Sequence, residues 1–281
     1  MQTYQMDLTN KIAVITGAGG VLCSGFAADL AACGAAVALL DINLEAAQKA
    51  ADAITQKGGR ALAVEADCLD KSSLERAAGK VREAFGPCNL LINGAGGNHP
   101  AASTSHEVME PDFLDNADET GFFDLDAAAF GKVFDLNVKA AVLTTQVFAK
   151  DMVKTGGSIL NISSMNAFRP LTKIPAYSAA KAAVSNFTQW LAVYLAPCKI
   201  RVNAIAPGFF ITKQNHDLLL NPDGSYKPRA EKILAHTPQK RFGEPADLTG
   251  TLLWLANDQM SGFVNGTVIP VDGGFAAYSG V

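Results

Sequence analysis

The stretch KIAVITGAGGVLCSG, Lys11 to Gly25, decides the fold. An apolar, β-branched run ends in a cluster of glycines and passes into an alanine-rich segment that favours helix. That order, strand then glycine turn then helix, is the context in which backbone N–H groups and the positive end of a helix dipole meet a pyrophosphate. The spacing departs from G-x-G-x-x-G, and also from T-G-x-x-x-G-x-G, because Val21-Leu22-Cys23 stands where the second pattern has G-x-G. Gly17, Gly19 and Gly20 are expected to supply the tight turn and the close approach, with the N–H of Leu22 aimed at the pyrophosphate.

Outward from this stretch the same rhythm repeats. Strand candidates are KIAVIT (Lys11 to Thr16), AAVALL (Ala35 to Leu40), ALAVEA (Ala61 to Ala66), NLLINGAG (Asn89 to Gly96), GSILNISS (Gly157 to Ser164), IRVNAIAP (Ile200 to Pro207) and GTVIPVDGG (Gly266 to Gly274). Helical patterns lie between them, near residues 22 to 33, 43 to 57, 71 to 85, 127 to 153, 176 to 196 and 245 to 256. Strands alternating with helices imply βαβ units, and near-continuous apolarity suits strands covered on both faces. The fold class is therefore α/β: a Rossmann-like, doubly wound, seven-stranded parallel sheet flanked by helices. With no linker or repeat in view, residues 1–281 read as one nucleotide-binding domain.

Two segments interrupt the rhythm. Residues 97–126 and 208–229 are polar, carry prolines and show no clear period. Each follows a predicted strand, and open α/β sheets bind ligands beyond the carboxyl ends of their strands. Both are expected to wall the substrate site, and whether 97–126 closes as a lid is left open.

The carboxylate that such a fingerprint needs about 20 residues on is Asp41, at the end of the second strand. It can accept hydrogen bonds from both ribose hydroxyls of NAD and would repel the 2′-phosphate of NADP, with no Arg or Lys beside it to neutralise that phosphate. NAD is the expected cofactor. Capping of the next helix would fit the position of Asp41 as well, although Asn43 can do that alone.

Composition excludes several alternatives. The net charge of -4 argues against nucleic-acid binding, which needs clustered Lys and Arg. The five cysteines include no C-x-x-C pair, and the four histidines lack metal-ligand spacing. Reduced thiols and no metal are the expectation. No apolar stretch approaches the ~18 residues of a membrane span, and the first residues lack a secretory pattern. A cytoplasmic protein acting on a small molecule, with no nucleic-acid or membrane partner, is expected.

The chemistry centres on Tyr177-Ser-Ala-Ala-Lys181, where i,i+4 spacing puts both side chains on one helix face. A phenol with a pKa of ~10 is a poor base at neutral pH, and a neighbouring ammonium lowers it. Tyr177 then becomes a usable general acid/base. Alone the pair is weak, since an exposed Lys packed along a helical Tyr gives the same spacing. Upstream, Ser164 closes a strand, where its hydroxyl can hold a substrate carbonyl. Asn137, polar amid apolar neighbours in FDLNVKA, either binds a water leading to Lys181 or bridges helix backbone.

Taken in order, these residues resemble the short-chain dehydrogenase/reductase family over essentially the whole chain. The matching elements are Thr16-Gly17, Asp67, Asn93-Gly-Ala-Gly96, Asn137, Ser164, Tyr177, Lys181, Pro207-Gly208 with Thr212, and Asp272-Gly-Gly274. The resemblance implies a catalytic tetrad of Asn137, Ser164, Tyr177 and Lys181. It implies that Asp67 and Cys68, with Asn93 and Ala95, lie along the adenine half of the cofactor. Tyr177 and Lys181 would also touch the nicotinamide ribose, and Pro207, Gly208, Phe210 and Thr212 the carboxamide and phosphates. Two departures stand out: Gly94 replaces the second residue of the family's N-N-A-G, and the phosphate loop lacks its G-x-G.

Within that family, VITGAGGVLCS, INGAGGNHP, SSMNAFRPLTKIPAYSAAKAAVSNFTQWLA, APGFFIT and VDGGFAAYSGV are similar to D-mannonate oxidoreductases (fructuronate reductases) of the short-chain type. The resemblance implies hydride transfer between nicotinamide and D-mannonate/D-fructuronate, in a homo-oligomer, most often a tetramer. Candidate substrate contacts are Asn98, His99, Asn166, Arg169, Lys173 and Asn215, with Arg169 or Lys173 meeting the carboxylate. Alternatives are a short-chain reductase of gluconate-type keto acids, neutral sugars or 3-oxoacyl thioesters, or a nucleotide-sensing protein without turnover.

Overall fold

The computed structural model describes residues 6–116, 118–212 and 216–280. In chain order, β1 (Ile12–Thr16), α1 (Val21–Ala32), β2 (Ala36–Asp41), α2 (Leu44–Gln56), β3 (Arg60–Glu65), α3 (Lys71–Ala84) and β4 (Leu90–Asn93) form the first half. After a long irregular segment come α4 (Ala127–Phe134), α5 (Ala140–Phe148), β5 (Gly157–Ile162), α6 (Pro175–Leu195) and β6 (Ile200–Pro207). The chain continues through α7 (His216–Leu219), α8 (Pro228–His236), α9 (Ala246–Ala256), α10 (Asp258–Ser261) and β7 (Val268–Val271).

All seven strands pair in parallel, in the order β3-β2-β1-β4-β5-β6-β7. The progression reverses between β1 and β4, which is where such sheets open a ligand crevice at their carboxyl ends. Alternate residues face opposite layers. Ala13, Ile15, Val37, Leu39, Leu90 and Ile92 pack with α1, α2 and α9, whereas Val14, Ala38, Leu40 and Leu91 pack with α3, α5 and α6. Burial on both faces explains the unbroken apolar runs that mark the strands in the sequence.

Strand ends differ from the sequence boundaries for local reasons. β4 stops at Asn93 because the N–H groups of Gly94 and Ala95 donate to the Thr16 hydroxyl, at 3.1 and 3.2 Å, instead of continuing the ladder. β7 stops at Val271, where the Asp272 carboxylate draws the following chain into a turn. The helical pattern over 127–153 is not one helix. α4 and α5 are joined by a π turn, Asp135–Lys139, and a 3₁₀ turn, Ala149–Met152, follows α5. The Asn137 amide donates to the Val133 carbonyl at 2.8 Å, competing with the regular backbone bond at that point. Such π bulges are frequent at functional sites.

Residues 97–126 carry only short 3₁₀ turns, at Pro100–Ala102, Pro111–Phe113 and Phe122–Asp124. Beyond the other irregular segment, Pro228 at the first turn starts α8, an element outside the periodicity read from the sequence. At the opposite, amino end of the sheet, Asp258 pairs with buried Lys11 and, at 2.7 Å, with buried Arg201, fastening β1 and β6 to α10. All five cysteines are free thiols. Among the described residues no helix is long and apolar enough to cross a membrane, and no cluster of His, Cys, Asp or Glu could hold a metal ion.

Candidate active site

The crevice begins at the turn after β1. Gly17 adopts φ +66°, and a Cβ there would lie 3.0 Å from the backbone of Ala95, so the turn and the end of β4 touch as only glycine permits. The Gly20 N–H closes the turn on the Gly17 carbonyl at 3.0 Å, and Gly20 caps α1. The first-turn N–H groups of α1, Leu22 among them, have no partner within their own helix. They face outward from the helix start, where a phosphate is favoured.

Asp41 lies at the end of β2, beside that turn. Its carboxylate accepts the Gly19 N–H on Oδ2 and the Asn43 N–H on Oδ1, each at 2.9 Å. Asn43 itself caps α2 through the Ala46 N–H. Asp41 is thus fixed by backbone donors and free of the capping duty. Each oxygen keeps a further lone pair for a hydroxyl donor. Asp67 accepts the Leu69 N–H at 2.8 Å, and buried Cys68 has its thiol pushed up to about 11, by burial first of all. Asn93 turns inward: its amide donates to Thr145 Oγ1 at 3.0 Å and Asn161 Oδ1 at 2.8 Å, and Asn161 donates to Thr188. This buried polar chain ties β4 and β5 to α6.

The two departures from the family pattern meet in space. A Cβ on Gly94 would lie 2.3 Å from Cys23 Sγ. Cys23 is buried in α1, with its thiol pushed up to about 12 by that burial. The sulfur occupies the volume a larger residue at position 94 would need.

At the reacting end, Pro175 begins α6 and the helix carries Tyr177 and Lys181 on one face, with the Lys181 ammonium 5.5 Å from the Tyr177 ring centre. Lys181 Nζ donates to the Ile162 carbonyl at 2.8 Å, which anchors it to the end of β5. Burial lowers its pKa to about 8. Ser164 follows β5 and starts the 3₁₀ turn Met165–Ala167, its hydroxyl accepting the Asn166 N–H at 3.3 Å. The Tyr177 phenol is shifted upward by burial, and a hydrogen bond with Ser164 opposes that shift. This differs from the lowering expected at first: in the protein alone, enclosure outweighs the Ser164 hydrogen bond.

Asn137 bridges backbone. Besides Val133, its amide donates to the Gly97 carbonyl at 2.7 Å and its Oδ1 accepts the Gly97 N–H at 3.3 Å. A Cβ on Gly96 would lie 2.6 Å from Asn137 Oδ1 and 3.1 Å from Lys181 Nζ. The segment after β4 therefore runs directly over the Asn137–Lys181 pair. A dinucleotide lying from the Gly17 turn to Tyr177 fits the donor and acceptor set along this crevice, the first-turn N–H groups of α1 suiting phosphate and the Asp41 carboxylate suiting ribose hydroxyls.

At the end of β6, Pro207 and then Gly208 lead into the loop on which Phe210 is buried and bridged to Gly243, and the Thr212 carbonyl accepts the His216 N–H at 2.9 Å. A cavity of about 380 Å³ opens beside this loop, lined by Phe209, Phe210, Arg241, Asp247, Asp272 and Gly274 among others.

The substrate candidates are dispersed. Asn98 donates to Ser103 Oγ at 2.9 Å, and His99 caps the first 3₁₀ turn through the Ala101 N–H. Asn166 is buried next to Ser164. Lys173, with φ 72°, donates to the Ser105 carbonyl at 2.7 Å, and Arg169 Nε to the Ala276 carbonyl at 3.1 Å. Asn215 lies outside the described residues. Asp272, which organises the chain beyond β7, was visible in the sequence only as part of a turn motif.

Comparison with known proteins follows the geometry. The family model of short chain dehydrogenases matches residues 11–222. An uncharacterized oxidoreductase, UxuB, of Bacillus subtilis (strain 168) is 54% identical, covering 98% of this chain and 98% of its own. A 2-dehydro-3-deoxy-D-gluconate 5-dehydrogenase of Dickeya dadantii (strain 3937) is 32% identical, over 96% and 97%. Among solved structures, one from Haemophilus influenza, provisionally named a D-mannonate oxidoreductase and holding NAD, superimposes with a TM-score of 0.94. It is 54% identical and covers 98% of each chain.

Proposed function

The chain belongs to the short chain dehydrogenase family, and from that premise we propose that it is an NAD-dependent oxidoreductase of sugar acids, interconverting D-fructuronate and D-mannonate. The observation that carries the reaction class is the joint placement of Ser164, Tyr177 and Lys181 at the ends of β5 and α6. When bound, the nicotinamide supplies the hydride. Gly17, Gly19, Gly20, Leu22 and Asp41 would hold one end of the dinucleotide, and the loop from Pro207 to Thr212 the other. Asp41 favours NAD over NADP by charge, and the NAD held by the 54%-identical structure supports that choice.

In the reducing direction the Ser164 hydroxyl donates to the substrate ketone oxygen and Tyr177 delivers a proton to it as negative charge develops. Enclosure of Tyr177 keeps the phenol protonated at neutral pH, which suits an acid. Lys181, charged below about pH 8, stabilises the phenolate left behind.

Substrate class rests on the sequence likeness to D-mannonate oxidoreductases and on the name carried by the 54%-identical structure. It is supported by a cation carried on the segment that follows the catalytic serine, where the Arg169 N–H donates to the Met165 carbonyl. Lys173 is bonded to a main-chain carbonyl of the 97–126 segment, whereas among the described residues the Arg169 guanidinium is bonded through Nε alone. Arg169 is the residue we assign to the carboxylate. The 32% likeness to a gluconate-type dehydrogenase favours a keto acid of that type as the second reading.

Steady-state reduction of D-fructuronate, D-tagaturonate and 5-ketogluconate with NADH and NADPH separates these. D-Fructuronate with NADH is expected to give the highest kcat/KM. Arg169→Ala is expected to raise its KM by about tenfold or more, the worth of a charge-assisted contact. An unchanged KM would remove Arg169 from the substrate site. The stack on α6 of partly buried Phe187 with exposed Trp190 and Tyr194, ring centres 6.3 and 4.9 Å apart, supports the homo-oligomer proposed from the resemblance. Sedimentation equilibrium tests it, a tetramer being the expected species.

A further inference from the structure

We infer that Asp272 is a positioning residue for substrate specificity: through the backbone of Ala276, it aims Arg169 at the substrate carboxylate. The inference rests on the sugar-acid reading above.

β7 ends at Val271, and Gly273 and Gly274, with φ of 63° and 88°, turn the chain back across the strand ends. Asp272 fixes that turn with both oxygens. Oδ1 accepts the Gly274 N–H at 2.9 Å, and Oδ2 accepts the Ala276 N–H at 2.7 Å. The other side of the same residue completes the link, because the Ala276 carbonyl accepts Arg169 Nε at 3.1 Å. The two peptide groups that flank the Ala276 Cα are thus held together: the one before it is gripped by a carboxylate at its N–H, and the one after it grips a guanidinium at its carbonyl.

A guanidinium gripped at Nε has its plane set, with the two Nη groups pointing away from the grip. Those Nη groups have no hydrogen-bond partner among the described residues. They form the fork that matches a carboxylate in two parallel bonds. Lysine could not serve, since one ammonium cannot both hold the carbonyl and present a planar fork.

The link reaches the reacting end from both sides. The Arg169 N–H donates to the Met165 carbonyl at 3.0 Å, closing the turn that Ser164 begins. On the other side, the Gly208 N–H donates to the Val271 carbonyl at 2.9 Å, and the Phe275 ring packs edge-on against Phe209 at 5.1 Å. The tail turn is therefore braced between the loop expected at the nicotinamide and the segment that follows the catalytic serine. A displacement of Asp272 would be felt at Arg169 before it was felt at Tyr177.

The test compares D-fructuronate with D-fructose, in which a hydroxymethyl group replaces the carboxylate, using NADH and the full-length enzyme. Wild type is expected to prefer D-fructuronate, and Arg169→Ala to abolish the preference. Asp272→Asn keeps the shape of the side chain and turns one of its two acceptor oxygens into an N–H donor, so that only one of the two backbone bonds can form; its KM for D-fructuronate should rise several-fold, with kcat, D-fructose kinetics and NADH affinity unchanged. Adding it to Arg169→Ala should cost nothing further, because the two act through one contact. Ala276→Pro deletes the N–H that Asp272 holds, while fixing φ at that residue, and should reproduce the substrate-selective rise in KM of Asp272→Asn, which covers the case of a poorly folding Asp272 variant. Equal losses on both substrates, or losses that add to those of Arg169→Ala, would overturn the link while leaving the sugar-acid reading intact. A wild type that reduces D-fructose as well as D-fructuronate would overturn that reading and the inference with it.

Discussion

Tyr177 shows how enclosure assigns direction to a proton. Burial raises the phenol and the bond with Ser164 only moderates the rise, so in reduction the group is in its working, protonated form throughout neutral pH. Oxidation of the alcohol needs the phenolate. Its rate should therefore climb with pH, and Lys181, discharging through about 8, withdraws its support as that climb proceeds. Measured between pH 6 and 10, kcat for D-mannonate oxidation is expected to rise while kcat for D-fructuronate reduction stays level or falls; a flat oxidation profile would exclude Tyr177 as the titrating group. Tyr177→Phe keeps the ring's packing and removes the proton, and should lower kcat by about 10²- to 10⁴-fold with NADH affinity little changed. The spacing of Tyr177 and Lys181 is legible in the sequence because one helix sets it. The duties of Arg169 and Lys173 are not, since their partners, the carbonyls of Ala276 and Ser105, come from segments remote in the chain.

At the level of elements, α1 and β4 meet through a pair of exchanged residues. In dinucleotide folds the third glycine of the turn lets helix and strand pack closely, and here Cys23 fills that place while Gly94 opposite it gives up its side chain. Read along the sequence these are two separate lapses from a pattern; across the fold they are one. Sequence alone could not join them, because nothing local connects position 23 to position 94. Gly94→Ala should force its Cβ into the buried Cys23 sulfur and against the Thr16 carbonyl, at 2.8 Å. The expected loss of stability is about 1 to 3 kcal/mol, read from urea unfolding. Combined with Cys23→Gly, the part of that loss due to the sulfur should disappear while the 2.8 Å approach to the Thr16 carbonyl persists, giving a coupling of about 0.5 to 3 kcal/mol. Strict additivity would show that the contact carries no energy. The same limit of local reading applies to residues 127–153, whose apolar period runs on unbroken although Asn137 interrupts the backbone ladder with its own side chain.

For the whole molecule, the alternation of strand and helix patterns was enough to specify a parallel sheet covered on both faces, since each run is buried by the layer that its neighbours supply. The bracing of the tail across the strand ends was not, because a turn such as Asp272-Gly273-Gly274 carries no signal of what it packs against. The two layers also hold thiols that respond to pH in a common direction. Burial pushes Cys23 and Cys88 up to about 12 and Cys68 up to about 11, against 9.0 for a free thiol. Above about pH 9 the unfolded chain releases these protons and the folded protein keeps them, so the unfolded state binds fewer and stability falls as pH rises, until the folded thiols titrate. Lys181 acts with the opposite sign: its folded pKa of about 8 lies below the ordinary 10.5, so between those values the unfolded chain binds more protons and stability gains. Three thiols against one ammonium predict a net alkaline loss. The urea midpoint should hold up to about pH 9 and decline from there towards pH 11. Cys88 lies away from the catalytic groups, donating to the Leu90 carbonyl at 3.3 Å. Cys88→Ala should lower the midpoint at pH 7, since it opens a small void, yet make its decline with pH shallower. A variant whose midpoint ran parallel to wild type from pH 8 to 11 would show that this buried thiol does not contribute to the alkaline instability.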